Sequence, residues 1–161
     1  MQLRRFILFK AMDIKSPERR SQNMAKIRSR NTKPEVYLRK LLFKKGYRYS
    51  LNKKGLPGTP DLYFRKYNTV IFVHGCFWHR HQKCKYAYMP KSNIEFWQEK
   101  FNNNIERDKR QLEELEKLYI RVLIVWECTI RKMKKEPEFE NKVITAIEEF
   151  LADQDRFKKE L

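Results

Sequence analysis

The chain has 161 residues, with 37 Lys and Arg against 20 Asp and Glu for a formal net charge of +17, and 41% of its residues are apolar. A single domain of this size buries most of what its unfolded chain exposes, and an aromatic share of 14% argues for a packed core over a disordered basic tail. No window approaches the roughly 18 apolar residues of a membrane span. Phe6 to Phe9, behind Arg4 and Arg5, is too short for a signal-peptide core, and three cysteines leave one over in any disulfide scheme. A soluble, cytoplasmic protein with metal or thiol chemistry in a reducing compartment is expected.

The charge is uneven. Residues 1–60 hold 17 Lys and Arg against 3 acidic residues, a net of +14, whereas residues 61–161 hold 20 against 17, a net of +3. So dense a basic face on a small domain suits a polyanion, because each neutralised phosphate releases counterions and drives association.

In chain order, residues 1–15 form an extension to which no fold is assigned, and 16–31 read as a basic arm or short helix. Thr32 and Glu35 make a T-x-x-E capping box around Pro34, and Gly46 stands where the helix should stop. Tyr47 to Leu51 alternates as a half-exposed strand does. The Gly- and Pro-rich run 55–60 reads as a loop, and Asp61–Phe64 and Thr69–His74 as two strands around a tight turn at Tyr67 and Asn68. Cys76 to Pro90 has no period. Ser92 and Glu95 suggest a second capping box, opening a helix whose stripe runs through Trp97, Phe101, Ile105, Leu112 and Leu115 to about Tyr119. Arg121 to Glu127 reads as a strand buried on both faces, and a last helix follows Pro137. The order α-β-β-β-α-β-α predicts an α/β fold with a sheet flanked by helices.

Two constellations carry chemistry. Cys76, His79, His81 and Cys84 fall within nine residues, and Cys128 ends the buried strand. Four soft or borderline ligands make a closed tetrahedral zinc site, and five candidates compete for four places: the three thiols first, then one histidine, the other being left free. The second is Pro60-Asp61 followed by Val70-Ile71-Phe72-Val73-His74. This is the spacing by which many nucleases place metal ligands. The second strand should then supply an acidic residue and, two places on, a lysine; Phe72 and His74 stand there instead.

The run Thr69-Val-Ile-Phe-Val-His-Gly-Cys-Phe-Trp-His79 strongly resembles the very short patch repair mismatch endonucleases. So do Arg28-Ser-Arg-Asn-Thr-Lys-Pro-Glu35 before it, and Glu95-Phe-Trp97, Glu106-Arg-Asp108 and Arg121-Val-Leu-Ile-Val-Trp-Glu-Cys128 after it. The match spans about residues 12–132 of a single endonuclease domain at 16–161, with a C-terminal helical segment, 133–161, beyond it. The resemblance implies a restriction-endonuclease-like three-layer fold, a central mixed sheet flanked by helices, with a structural zinc site and a metal-dependent nick beside the thymine of a T:G mismatch.

Carried over by position, the resemblance gives Asp61 and the backbone carbonyl of Val73 to Mg²⁺. It makes His79 the residue that activates water, His74 its neighbour at the scissile phosphate, and Glu35 a member of the same centre. Zinc takes Cys76, His81, Cys84 and Cys128, in a loop whose spacing is wider than in some members of the family. Phe77, Trp78 and Trp97 match aromatics wedged into the base stack, and Met24 an apolar residue entering from the opposite groove. Lys26, Arg28, Arg30 and Lys33 are expected to grip phosphates. The expected partner is T:G-mismatched duplex DNA, bound by a monomer and followed by mismatch-repair proteins, with no membrane involved. Two alternatives stand beside this reading: a nicking enzyme of a restriction-modification system, and a zinc-pinned DNA-binding module without catalysis.

Overall fold

The computed structural model describes Gln22 and residues 30–161. The extension, nearly all of the basic arm, and with them Met24, Lys26 and Arg28 lie outside the described residues.

Helix α1, Lys33–Lys44, starts where the capping pattern places it: Thr32 is the N-cap and its Oγ1 accepts the Glu35 N–H at 3.5 Å. The box is not closed in its usual form, since the Glu35 carboxylate accepts from the Thr32 hydroxyl at 2.7 Å. At the other end Gly46 takes φ +90°, and the Tyr47 N–H reaches back to the Leu42 carbonyl at 3.1 Å. That closes the turn in a conformation a Cβ would resist.

Strand β1 is only Ser50–Leu51, shorter than the alternation from Tyr47 predicts, because the rings of Tyr47 and Tyr49 pack on Phe64 rather than extending the ladder. β2 (Leu62–Phe64) and β3 (Thr69–His74) are joined through a 3₁₀ turn, Arg65–Tyr67, and Asn68 in the left-handed region. Helix α2, Ile94–Lys117, leads to β4, Arg121–Trp126, whose residues are all buried. The predicted capping box at Ser92 and Glu95 is corrected: the N-cap is Asn93, at φ 52° with no side-chain cap bond.

β4 stops one residue earlier than expected, and Glu127–Met133 forms a short helix, α3, that the sequence does not announce. Helix α4, Pro137–Ala152, is as predicted, but a further strand, β5 (Lys158–Glu160), follows it unanticipated. Three charged residues carry no strand signal of their own; pairing to β4 makes the strand.

The sheet order is β1-β2-β3-β4-β5, antiparallel among the first three strands and parallel from β3 to β5. Alternation sorts side chains to two cores. Ile71, Leu123 and Val125 pack with Leu38 and Leu42 of α1, Ile130 of α3 and the apolar face of α4. Val70, Phe72, Val122, Ile124 and Trp126 face the other way, against Leu115 of α2 and Cys76. Helices therefore cover both faces of a mixed sheet. Arg121 is buried at the start of β4 because its guanidinium donates to the carbonyls of Phe150 (2.7 Å) and Leu151 (3.1 Å), the negative end of α4. No helix among the described residues is long and apolar enough to cross a membrane.

Candidate active site and metal centre

The cleft lies at the carboxyl ends of the parallel strands β3 and β4, where ligands of α/β sheets usually sit. β2 pairs with β3 only as far as Leu62 opposite Ile71, so the ladder splits at Asp61. There the Asp61 carboxylate replaces a backbone partner and accepts the Val73 N–H at 2.7 Å. Burial pushes the Asp61 carboxyl up to about 6; the Val73 bond opposes this, and the nearby negative Glu35 adds to it. Glu35 itself is only 8% exposed and looks into the same cleft from the first turn of α1. The cavity is about 300 Å³, polar, and also lined by His74, His79, Arg107, Asp108 and Gln111.

His74 ends β3 on the α2 side of the sheet. Its ring stacks on that of His79 with centroids 3.8 Å apart and planes 9° from parallel. Burial first, and the neighbouring His79 second, push His74 down to about 3, so it is neutral near pH 7. His79 Nδ1 lies 2.5 Å from Asp108 Oδ2. Burial pulls the Asp108 carboxyl upward, but the hydrogen bond and charge of His79 outweigh it and leave it below its ordinary value. An ionised carboxylate only accepts, so Nδ1 is the donor of this pair and Nε2 is the ring nitrogen left for other partners. His74, His79 and Asp108 are also close enough for a shared ion. Parallel stacked rings, however, keep their in-plane lone pairs in separate parallel planes that do not converge on one ion, which favours the acid–base reading.

Asp108 stands in one of the family-like motifs, yet the sequence alone assigns it no role. A signal exists: Phe101, Ile105, Asp108, Leu112 and Leu115 share one stripe of α2, and Asp108 is the charged member. Asp108→Asn is expected to lower hydrolysis by roughly 100-fold or more, the usual worth of an acid–base group, while melting changes little. Parent-like turnover would remove Asp108 from the site.

Beside the cleft, Cys76, His81, Cys84 and Cys128 bring their ligand atoms within 4.8 Å of one another. His81 Nδ1 lies 3.6 Å from Cys76 Sγ and 3.3 Å from Cys128 Sγ. Tetrahedral bonds of about 2.3 Å to sulfur and 2.0–2.1 Å to nitrogen require an edge of about 3.6 Å, so the donors have the shape of a metal cage. Without an ion, burial and the neighbouring thiol Cys128 push the Cys76 thiol up to about 12. His81 is held flat against Trp126 at 4.1 Å, and the indole N–H donates to Glu160 of β5 at 3.2 Å. The loop bends through Arg80 and Lys83 at φ 52° and 55°, conformations that need outside support.

The same loop presents aromatics. Phe77 packs edge-on to Trp78, Trp97 and Phe101 at centroid distances of 5.1, 5.4 and 5.1 Å, and Tyr88 lies 5.2 Å away. Gly75 lets Trp78 close in, since a Cβ there would lie 3.3 Å from the indole. Trp97 is half-buried on α2, neither core nor free, while Tyr88 and Phe96 are 63% and 58% exposed. Arg30 and Lys33 are exposed at the end of α1 that carries Glu35.

The family model described as DNA mismatch endonuclease Vsr matches residues 12–85. The type II nicking enzyme V.NmeAIP of Neisseria meningitidis is 49% identical over 119 residues, 74% of this chain and 84% of that protein. DNA mismatch endonuclease Vsr of Escherichia coli (strain K12) is 43% identical over 123 residues, 76% of this chain and 78% of that protein. The type II nicking enzyme V.XorIIP of Xanthomonas oryzae is 46% identical over 115 residues, 71% of this chain and 84% of that protein. The class is thereby set: this is a DNA endonuclease. More narrowly, the chain belongs to the DNA mismatch endonuclease Vsr family, as its H-G-C-F-W-H core implied.

Proposed function

We propose that this protein nicks one DNA strand beside the thymine of a T:G mismatch, on a restriction-endonuclease-like fold, with Mg²⁺ in the cleft and zinc in the thiol cluster. The observation that carries the reading is the juxtaposition of a buried carboxylate, an Asp-paired histidine and an aromatic loop gathered by a cluster of three thiols and a histidine.

Hydrolysis needs a nucleophile, a proton acceptor and relief of charge on phosphorus. His79 Nε2 takes the proton of the attacking water and Asp108 stabilises the imidazolium. The oxygen then bonds to phosphorus as the bond to the leaving nucleotide oxygen breaks. His74, neutral and stacked, holds the His79 ring and offers a hydrogen bond to phosphate. Asp61 and the Val73 carbonyl, with Glu35 close by, form a hard oxygen donor set that suits a largely water-ligated Mg²⁺. When bound, that ion supplies Lewis-acid polarisation of the phosphate and of its water. Soft donors at Cys76, Cys84 and Cys128 with His81 suit Zn²⁺ instead.

A wobble pair differs from a matched one chiefly in shape and stacking, so an aromatic wedge reads it by the lower cost of unstacking. Trp78→Ala is expected to lose roughly 1–3 kcal/mol of DNA affinity, the usual worth of base–aromatic stacking, and to bind matched and T:G duplexes more alike. A variant that only melts lower, with its T:G preference intact, would return Trp78 to the core.

Several relatives bear the name type II nicking enzyme, which favours a second reading with the same chemistry and a restriction-modification setting. Strand-specific nicking of matched and T:G duplexes, with and without Mg²⁺, tests both. Cleavage confined to the mismatched duplex and dependent on Mg²⁺ is the expected result; equal nicking of the matched duplex overturns mismatch recognition, and binding without nicking leaves only a DNA-binding module.

A further inference from the structure

We propose that Arg107 is a catalytic residue whose guanidinium contacts the non-bridging oxygens of the scissile phosphate and neutralises the charge that builds there. The inference rests on the nuclease reading above and goes beyond the residues that reading uses.

The charge balance of the cleft motivates it. Glu35, Asp61 and Asp108 bring three carboxyl groups to the cavity, and the substrate adds a phosphate anion. One divalent ion offsets only part of this. The strand position that should hold a lysine holds His74 instead. Among the described residues that line the cavity, Arg107 is the one Lys or Arg.

Its placement fits the task. Arg107 comes from α2, across the cleft from Asp61 on the sheet side, and its Nη2 donates to Asp108 Oδ1 at 3.1 Å. The other oxygen of that carboxylate holds His79. One carboxylate thus fixes the proton acceptor and a cation side by side, as a site attacking phosphorus requires. The bond to Asp108 engages one of five guanidinium donors, and the planar fork suits bidentate contact with phosphate. The side chain is 47% exposed, so no core packing accounts for it.

The experiment is single-turnover nicking at saturating protein and Mg²⁺, with DNA affinity, melting temperature and a pH–rate profile, for the parent, Arg107→Gln and Arg107→Lys. We expect Arg107→Gln to slow the step roughly 100- to 1,000-fold, as loss of a preorganised charge-stabilising donor does, with affinity changed less than about threefold. Arg107→Lys should recover part of the rate and, because it keeps a cation beside Asp108, should also keep the parent's pH midpoint. A rate within about threefold of the parent overturns the proposal. So does a loss confined to affinity, or a displaced pH midpoint with full rate at the new optimum, which would make Arg107 a positioning residue acting through Asp108. Should Arg107→Gln melt well below the parent, Arg107→Lys decides the matter: a partly recovered rate at the parental midpoint supports the charge role, and a displaced midpoint overturns it. A parent that nicks no duplex overturns the functional reading, whereas a parent that nicks no faster than Arg107→Gln overturns this inference alone.

Discussion

Asp61→Asn is expected to abolish nicking, by about 1,000-fold or more, while the metal-free protein melts higher than the parent at neutral pH. The activity term follows from the ion that the carboxylate would hold: its several kcal/mol of charge stabilisation correspond to three or more orders of magnitude. The stability term follows from burial. With its carboxyl raised from 3.8 to about 6, Asp61 is easier to protonate in the folded chain than in the unfolded one. Its favourable contribution is therefore complete below the unfolded value and is lost as pH rises through about 6, leaving a penalty of about 1–3 kcal/mol at neutral pH. The amide removes that penalty and its oxygen still accepts from Val73. Parent and variant should melt alike near pH 4 and separate between pH 4 and 7, and DNA affinity should persist through the basic face. A variant that nicks normally, or that melts lower at every pH, would make Asp61 a structural residue.

Loss of a thiol from the Cys76–His81–Cys84–Cys128 cluster is the second large effect. Cys128→Ser takes one donor of four from a loop with no regular structure of its own, whose turns include two residues of positive φ. Structural zinc sites supply folding energy outright. A loss of some 3–5 kcal/mol, about 10 °C for a chain of this size, is expected, with bound zinc falling from about one per chain to none. Mismatch preference should fall with it, because Phe77 and Trp78 lie between Cys76 and His79 on that loop, and its shape sets how they pack against Trp97 of α2. Metal analysis and melting of the parent, the variant and chelator-treated parent give the result. A parent without zinc, or a variant with unchanged melting, would leave the thiols as ordinary buried side chains.

Much of the frame was legible in the order of residues. Thr32, Pro34 and Gly46 delimit α1, since capping and positive φ are local demands that particular side chains meet. The unbroken apolar run of β4 declared burial on both faces. The density of Cys and His in 76–84 pointed to a cluster of metal-binding side chains, although which histidine would join it was open on spacing alone. Only packing turned His81 toward the thiols and His79 toward Asp108. β5 and α3 were invisible for the same kind of reason: the strand is made by the open edge of β4 and the helix by Ile130 and Met133 finding a core already formed. Periodicity, caps and ligand types are properties of a few neighbouring residues, so the sequence by itself determined α1, α2 and α4, the central strands and the chemical inventory. The pairing of Asp61 with Val73, of His79 with Asp108 and of Arg107 with that same carboxylate shapes a cleft between different elements. Those meetings were decided by the tertiary structure, because the split of β2 from β3 and the lay of α2 over the sheet set distances that no local pattern encodes.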